Sequence, residues 1–371
     1  MDEQAEAGQL RWRLVEQEES GTLFSESSLG ERHVGTGEYR GMTFFHVNAR
    51  TIVNKVPAAS KMPFEYTINA YRGCSHACTY CFARPTHTYL GLGVGEDFER
   101  KVVVKLNAVE KVRAELRSPK WQGDHIAMGT NTDPYQKAEG KYHLTQGIVR
   151  ELAEAGNSFS ILTKSTLVLR DLALLAEAAT RTRVSLALSI GTLDREVWRL
   201  TEPGTPPPDK RLEAVARLNE AGVRCGVLIA PVLPGLSDSD EQLRAVTKAC
   251  LDAGAISVTP VALHLRPGVR EHYLRWLSEA RPDLVALHSE RFGHGSYQSK
   301  AEQHRISEVV RSVGRPAGHP SSWRESVVYE ASPTTDAEVA CKDSATEVKR
   351  LGSRQIQIMK TRPSTEQLRL L

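Results

Sequence analysis

Cysteine is scarce in this chain: six occur in 371 residues, with Cys74, Cys78 and Cys81 inside eight positions and Cys225, Cys250 and Cys341 scattered. That distribution excludes a small disulfide-stapled scaffold, which would spread paired cysteines through a short sequence. Net charge is nearly absent as well. Forty-eight basic residues against 45 acidic leave +3, so the field of the whole chain favours no class of charged partner, and nucleic acid is neither implied nor excluded. No apolar run approaches the ~18 residues of a membrane-crossing helix, and no membrane partner is expected. The opening Met1-Asp2-Glu3-Gln4 lacks the basic and apolar segments of an export signal. The compartment expected from these features is a reducing cytoplasm.

What is present is a core-forming composition, 40% hydrophobic, in a chain long enough for two domains or for one α/β barrel with appended segments. Residues 1–60, interrupted by Gly30, Gly35, Gly37 and Gly41, read as a loosely structured extension. From Phe64 onward short apolar runs alternate with amphipathic segments. Six runs read as strands: Tyr66–Ala70, His125–Gly129, Phe159–Thr163, Val184–Ile190, Cys225–Pro231 and Ile256–Leu263. Helices are expected at Val102–Leu116, Leu144–Ala155, Leu167–Ala179 and Asp209–Ala221, the last closed by Gly222. Between the fifth and sixth runs, Leu243, Val246, Thr247, Cys250 and Leu251 mark one helical face, with Asp238 and Glu241 as the expected cap.

Strand, helix, strand repeated in this way pairs parallel, because each helix returns the chain across the sheet. The pattern alone leaves an open doubly wound sheet and a partial barrel both standing. Either places ligands at the C-terminal ends of the strands. The implied division is an extension over 1–60, a βα region over 61–280, a helical segment over 281–320 and a flexible tail over 321–371. Between Cys341 and Leu371, seven Lys/Arg against three Asp/Glu leave a local excess of four, which reads as a solvated tail.

Cys74-x3-Cys78-x2-Cys81 carries the chemical content of the sequence. Three soft thiolates at this spacing can share one metal centre, and Gly73 lets the backbone turn before them. A structural zinc site closes with four ligands, as does an electron-carrier cluster, so a triad points to a cluster with one iron open to a ligand. Zinc completed by His76, His87 or a distant cysteine stays as an alternative, with the two histidines otherwise loop residues.

The motif, with Tyr80 before its last cysteine, resembles the signature of radical S-adenosylmethionine enzymes. Tyr71-Arg72-Gly73-Cys74, Cys81-Phe82-Ala83-Arg84-Pro85 and Gly129-Thr130-Asn131-Thr132-Asp133-Pro134-Tyr135-Gln136 resemble the branch related to spore photoproduct lyase. The resemblance spans roughly residues 60–265. It implies an α/β fold of the partial (β/α)6 TIM-like barrel kind, with a [4Fe–4S] cluster on Cys74, Cys78 and Cys81 that binds S-adenosyl-L-methionine. It further implies reductive cleavage to methionine and a 5′-deoxyadenosyl radical that abstracts hydrogen from substrate, and an electron donor of the flavodoxin or ferredoxin type.

The residues implied for cofactor contact are Tyr80; Thr130, Asn131, Thr132 and Asp133 after the second strand; Thr163, Lys164 and Ser165 after the third; Ser189 after the fourth; and Pro231 after the fifth. The chain lacks the Gly-Gly-Glu form common at the second of these places. Tyr135 and Tyr142 are candidates for radical relay, and His264 and Arg266 for substrate contact. Cys225, at the start of its strand, and Cys250, on an apolar helix face, read as core thiols. Two other functions stay open. Arg72 and Arg84 beside the motif suggest repair of a DNA photoproduct, although Thr130 or Asn131 stands where the lyase, as the motifs align, carries a hydrogen-donating cysteine. A non-enzymatic protein whose metal only stiffens a loop would explain the triad but not the six βα units.

Overall fold

The computed structural model describes residues 29–57, 62–293 and 295–314. The acidic opening, the tail expected over 321–371 and its basic excess lie outside them. Among the described residues eleven strands run in chain order. The first three are β1 (Glu31–Val34), β2 (Thr43–Val47) and β3 (Val53–Lys55), followed by β4 (Tyr66–Ile68), β5 (Tyr71–Arg72) and β6 (Lys101–Lys105). The remaining five, β7 (Ile126–Met128), β8 (Phe159–Thr163), β9 (Val184–Ser189), β10 (Arg224–Val232) and β11 (Val258–Ala262), alternate with helices.

A seven-stranded sheet has the order β11-β10-β9-β8-β7-β4-β3. Its six strands from β4 to β11 pair parallel in the order in which the chain makes them, and β3 adds an antiparallel edge. With no reversal there is no topological switch point of the doubly wound kind, and the crossovers all proceed in one direction. Each of the six expected runs forms one of these strands. β9 is buried along its whole length, as a parallel strand covered on both faces should be.

Helices at Ala108–Leu116, Leu144–Glu154, Leu172–Arg181, Pro208–Glu220 and Asp240–Asp252 carry the chain between strands. Gly222 takes φ +78° just past the fourth of these, where a left-handed residue ends a helix. Three expectations are corrected. Val102–Leu116 is not one helix: its β-branched Val102-Val103-Val104 run is the body of β6, which pairs with β2 and β5, and the helix starts only at Ala108. The helix after β10 is capped one residue later than expected, by Ser239 with Gln242 in a capping box, while Asp238 accepts from the Gly235 amide. Residues 29–57 are not loose. β1 and β2 join β6 and β5 in a four-stranded sheet, and β3 edges the large one, because partners distant in sequence complete strands too short to stand alone. No helix among the described residues is long and apolar enough to cross a membrane.

Candidate metal and cofactor site

The cysteine loop leaves β5 through Gly73, whose φ of +82° and close approach to the Lys101 carbonyl leave no room for a Cβ. Cys74 N then donates to Phe98 O at 2.8 Å. Cys74 and Cys78 are buried and Cys81 is partly so; none is in a disulfide. Burial pushes all three thiols upward, and at Cys74 the charges of Asp133, Cys81 and Cys78 add to it. The three are therefore electrostatic neighbours.

Two segments grip this loop from either side. After β7, Gln136 Nε2 donates to Gly73 O at 2.8 Å and its Oε1 accepts from Ser75 N at 3.1 Å, while Lys137 N donates to Ser75 Oγ. After the helix Arg195–Thr201, Thr79 N donates to Thr201 O and Gly204 N to His76 O. A Cβ on Gly204 would stand 2.1 Å from Ser75 O, so only glycine admits this approach. Underneath, Arg84 is fully buried. Its Nε and Nη2 donate to Cys78 O at 3.0 and 2.8 Å, its Nη1 reaches the Val94 and Gly95 carbonyls, and Nη2 pairs with Glu99 at 2.6 Å. Arg84 therefore braces the loop from inside, with all three guanidinium nitrogens bonded to the chain itself. Arg72 is half-buried, and burial lowers its pKa.

A buried carboxylate organises the ends of β8, β9 and β10. Glu202 accepts from the Tyr80 hydroxyl, from Arg211 and from Lys164 Nζ at 2.9 Å. Burial drives its pKa up, but Arg211 and Lys164 outweigh that and hold the carboxyl well below its usual range. Lys164 Nζ also donates to Ser189 Oγ at 2.7 Å and Ala230 O at 3.0 Å, and stands 5.5 Å from the centre of the Tyr80 ring. Ser189 Oγ donates to the same Ala230 carbonyl. Tyr80, Lys164, Ser189 and the Ala230–Pro231 bond, which is cis, thus meet in one network beside Cys78.

The residues after β7 divide. Asp133 accepts from Thr163 Oγ1 at 2.6 Å, Lys164 N at 2.7 Å and Tyr135 N at 2.9 Å, and lies 3.3 Å from His76 Nδ1. Burial raises its pKa, yet His76 and these donors bring it below the ordinary value. Thr132 donates to Tyr71 O, and Ser165 caps the turn after β8 by accepting from Leu167 N while its own amide donates to Thr163 Oγ1. These four side chains are engaged in holding protein to protein. Thr130 and Asn131 are only half-buried, with Thr130 Oγ1 on Thr67 Oγ1.

Tyr135 is buried beneath that loop. Tyr142 is not gathered into the network: it packs edge-on to Phe44, and its hydroxyl stands 2.7 Å from His46 Nε2 in the smaller sheet. His87 lies behind Gly73, its Nε2 2.9 Å from Lys101 O. His264 sits after β11 between two exposed rings, Phe82 at 6.0 Å and Tyr297 at 5.6 Å, and Arg266 donates to the Tyr297 hydroxyl. Sequence reasoning missed Glu202, Arg211 and the inward role of Arg84. A charged residue directly before Pro203-Gly204 was the one local sign of Glu202.

A family model described as the Radical SAM superfamily matches residues 68–246. An uncharacterised protein of Mycobacterium tuberculosis is 47% identical over 279 residues, spanning 75% of this chain and 82% of that protein. One of Methanocaldococcus jannaschii is 31% identical over 194 residues, spanning 52% and 68%. Among solved structures, a spore photoproduct lyase complexed with dinucleoside spore photoproduct matches with TM-score 0.51 at 19% identity, covering 73% of this chain and 78% of that one. A mutant of that lyase with the same ligand gives 0.53 at 17% identity, covering 78% and 85%. At these identities the likeness is one of fold.

Proposed function

Because the chain belongs to the radical SAM superfamily, we propose that it is an enzyme in which Cys74, Cys78 and Cys81 hold a [4Fe–4S] cluster whose fourth iron binds S-adenosylmethionine. The observation that carries this reading is three unbridged thiols, two buried and one partly buried, that are electrostatic neighbours on one braced loop at the C-terminal side of the parallel strands. The donor set fits the group. Three thiolates suit iron–sulfur ligation with one position open, and thiols raised by burial need the charge of a metal to lose their protons. The cluster, when bound, supplies the electron that cleaves S-adenosylmethionine to methionine and a 5′-deoxyadenosyl radical, which takes hydrogen from the substrate.

The chain's own residues bind and orient. Lys164, the cation beside Cys78, and Ser189 would be the donors that hold the carboxylate of the cofactor. Glu202 accepts from both Tyr80 and Lys164 and so fixes the two side chains relative to one another. Thr130 and Asn131 are the side chains after β7 left to touch the cofactor; Asp133, Thr132, Thr163 and Ser165 set the backbone that carries Lys164. The unreversed strand order supports a partial (β/α)6 barrel over residues 61–280, whose interior shields the reacting C–H bond from water. A flavodoxin- or ferredoxin-type protein delivers the electron. Anaerobic reconstitution should give about four irons per chain, and reduction in the presence of S-adenosylmethionine should yield 5′-deoxyadenosine. A colourless protein with stoichiometric zinc overturns the reading.

A second reading, action on nucleic acid, is favoured by the Phe82–His264–Tyr297 row with Arg266 at its end, since exposed rings beside a cation are surfaces on which bases stack. The inward Arg84 counts against it. Single-stranded or ultraviolet-irradiated oligonucleotide should bind at least fivefold more weakly to the Phe82→Ala, Tyr297→Ala double variant; equal binding rejects this reading.

A further inference from the structure

We propose that Glu31, His33 and His46 form a second metal site, for a borderline divalent cation of the zinc type, that fastens the amino-proximal strand pair to the body of the protein. Nothing in this proposal depends on the chemistry at the cysteine loop. Antiparallel pairing of β1 with β2 sets Glu31 directly opposite His46, and His33, two residues on from Glu31, projects from the same face. One ligand atom from each lies within 4.8 Å of the other two. Glu31 Oε1 is 3.1 Å from His33 Nε2, and the two imidazoles stack with centroids 3.8 Å apart.

One feature of His33 points to a ligand. Its Nε2 is screened from water yet makes no hydrogen bond among the described residues, although the Glu31 carboxylate lies 3.1 Å away. A water-screened nitrogen whose one near neighbour is a carboxylate that does not hydrogen-bond to it is uncommon, and an ion shared by the two is an ordinary explanation. Two imidazoles and a carboxylate, with no thiolate, form a set that zinc-type ions accept, with water in the remaining positions. Ligands at about 2.0 Å from a tetrahedral ion are about 3.3 Å apart, so small rotations about the side-chain bonds bring these atoms into range. The Tyr142 hydroxyl, 2.7 Å from His46 Nε2, orients that ring as outer partners of ligating histidines do.

The location gives the ion its consequence. Glu31, His46, Val104 and Tyr71 form one row across β1, β2, β6 and β5. The short helix Glu139–Tyr142 spans that row, with Tyr142 on His46 and Glu139 accepting from the Tyr71 hydroxyl three residues before Cys74. An ion at one end therefore holds the strand pair whose far neighbour leads into the cysteine loop.

The test is titration of the full-length, cluster-reconstituted protein with Co2+ under anaerobic conditions, followed by optical spectroscopy and elemental analysis, with Cys74→Ser/Cys78→Ser/Cys81→Ser in parallel. One equivalent should bind in both proteins with a ligand-field spectrum free of thiolate charge-transfer bands. Affinity should fall at least tenfold in Glu31→Gln and in His33→Gln, two partly exposed substitutions that leave far-ultraviolet circular dichroism unchanged. Hydrogen exchange of β1 and β2 amides should slow on adding Zn2+ to wild type and not to these variants. Cobalt binding only with a thiolate signature, or equal affinity in the Glu31 and His33 variants, overturns the site.

Discussion

Cys225 and Cys250 are as deeply buried as Cys74 and Cys78, and burial pushes all four thiols upward, Cys78 and Cys250 each to about 12. Around Cys250 that is the whole account: it lies on the apolar face of the helix Asp240–Asp252. Around the triad, charged groups crowd in, with Asp133 and Glu202 on one side of the balance and Lys164, Arg84 and Arg211 on the other. Cys225 is the second residue of β10 and so occupies the end of the sheet away from Lys164 and Ser189. The same side chain at the same depth is a packing element at one end of the parallel strands and a metal ligand candidate at the other. Neighbouring charge and strand polarity, not burial, separate the two.

Cys78→Ser should break the comparison most completely, removing bound iron and 5′-deoxyadenosine formation to background while Cys225→Ala and Cys250→Ala retain both. Iron loss in Cys250→Ala would refute the distinction. Next, Glu202→Gln leaves the buried Arg211 and the partly buried Lys164 without their carboxylate, which should cost roughly 3–5 kcal/mol in denaturant unfolding; Cys250→Ala should cost less. Lys164→Met should then weaken S-adenosylmethionine binding at least tenfold, read by equilibrium binding to reconstituted protein, with iron content unchanged.

The smallest effect is the response to acid. Asp133 and Glu202 have folded pKa values below their ordinary ones. The stability they contribute is fully present above the unfolded values of about 3.9 and 4.3, and is lost as pH falls through the folded values. The melting temperature should therefore drop below about pH 4.3, and less steeply in Glu202→Gln. Equal slopes would mean that the Glu202 carboxylate does not carry this dependence.

Much of the fold was legible because parallel strands are written as short apolar runs. The runs at 159–163 and 184–190 needed no distant information, and each formed its strand within a residue or so. β6 was not legible: valines 102–104 sit at the head of an amphipathic pattern, and only pairing with β2 and β5 makes them a strand. The cysteine loop could be located by spacing alone. Its supports could not, since Arg84 reads as a surface cation until its carbonyl partners are known. Nor were the protein partners of Asp133 and Thr132, both expected at the cofactor, legible: Thr163, Lys164 and Tyr135 for the first and the Tyr71 carbonyl for the second.

The sequence by itself determined the six βα units and the placement of three thiols after the first of their strands, because periodicity and short spacing are properties of neighbouring residues. Only the tertiary structure decided that Glu202 holds Tyr80, Lys164 and Arg211, that Gln136 and Gly204 clamp the cysteine loop, and that Glu31, His33 and His46 share one sheet face. A buried charge is tolerable only where opposite charges and donors from other elements converge on it, and that convergence is fixed by chain crossings that no local pattern records.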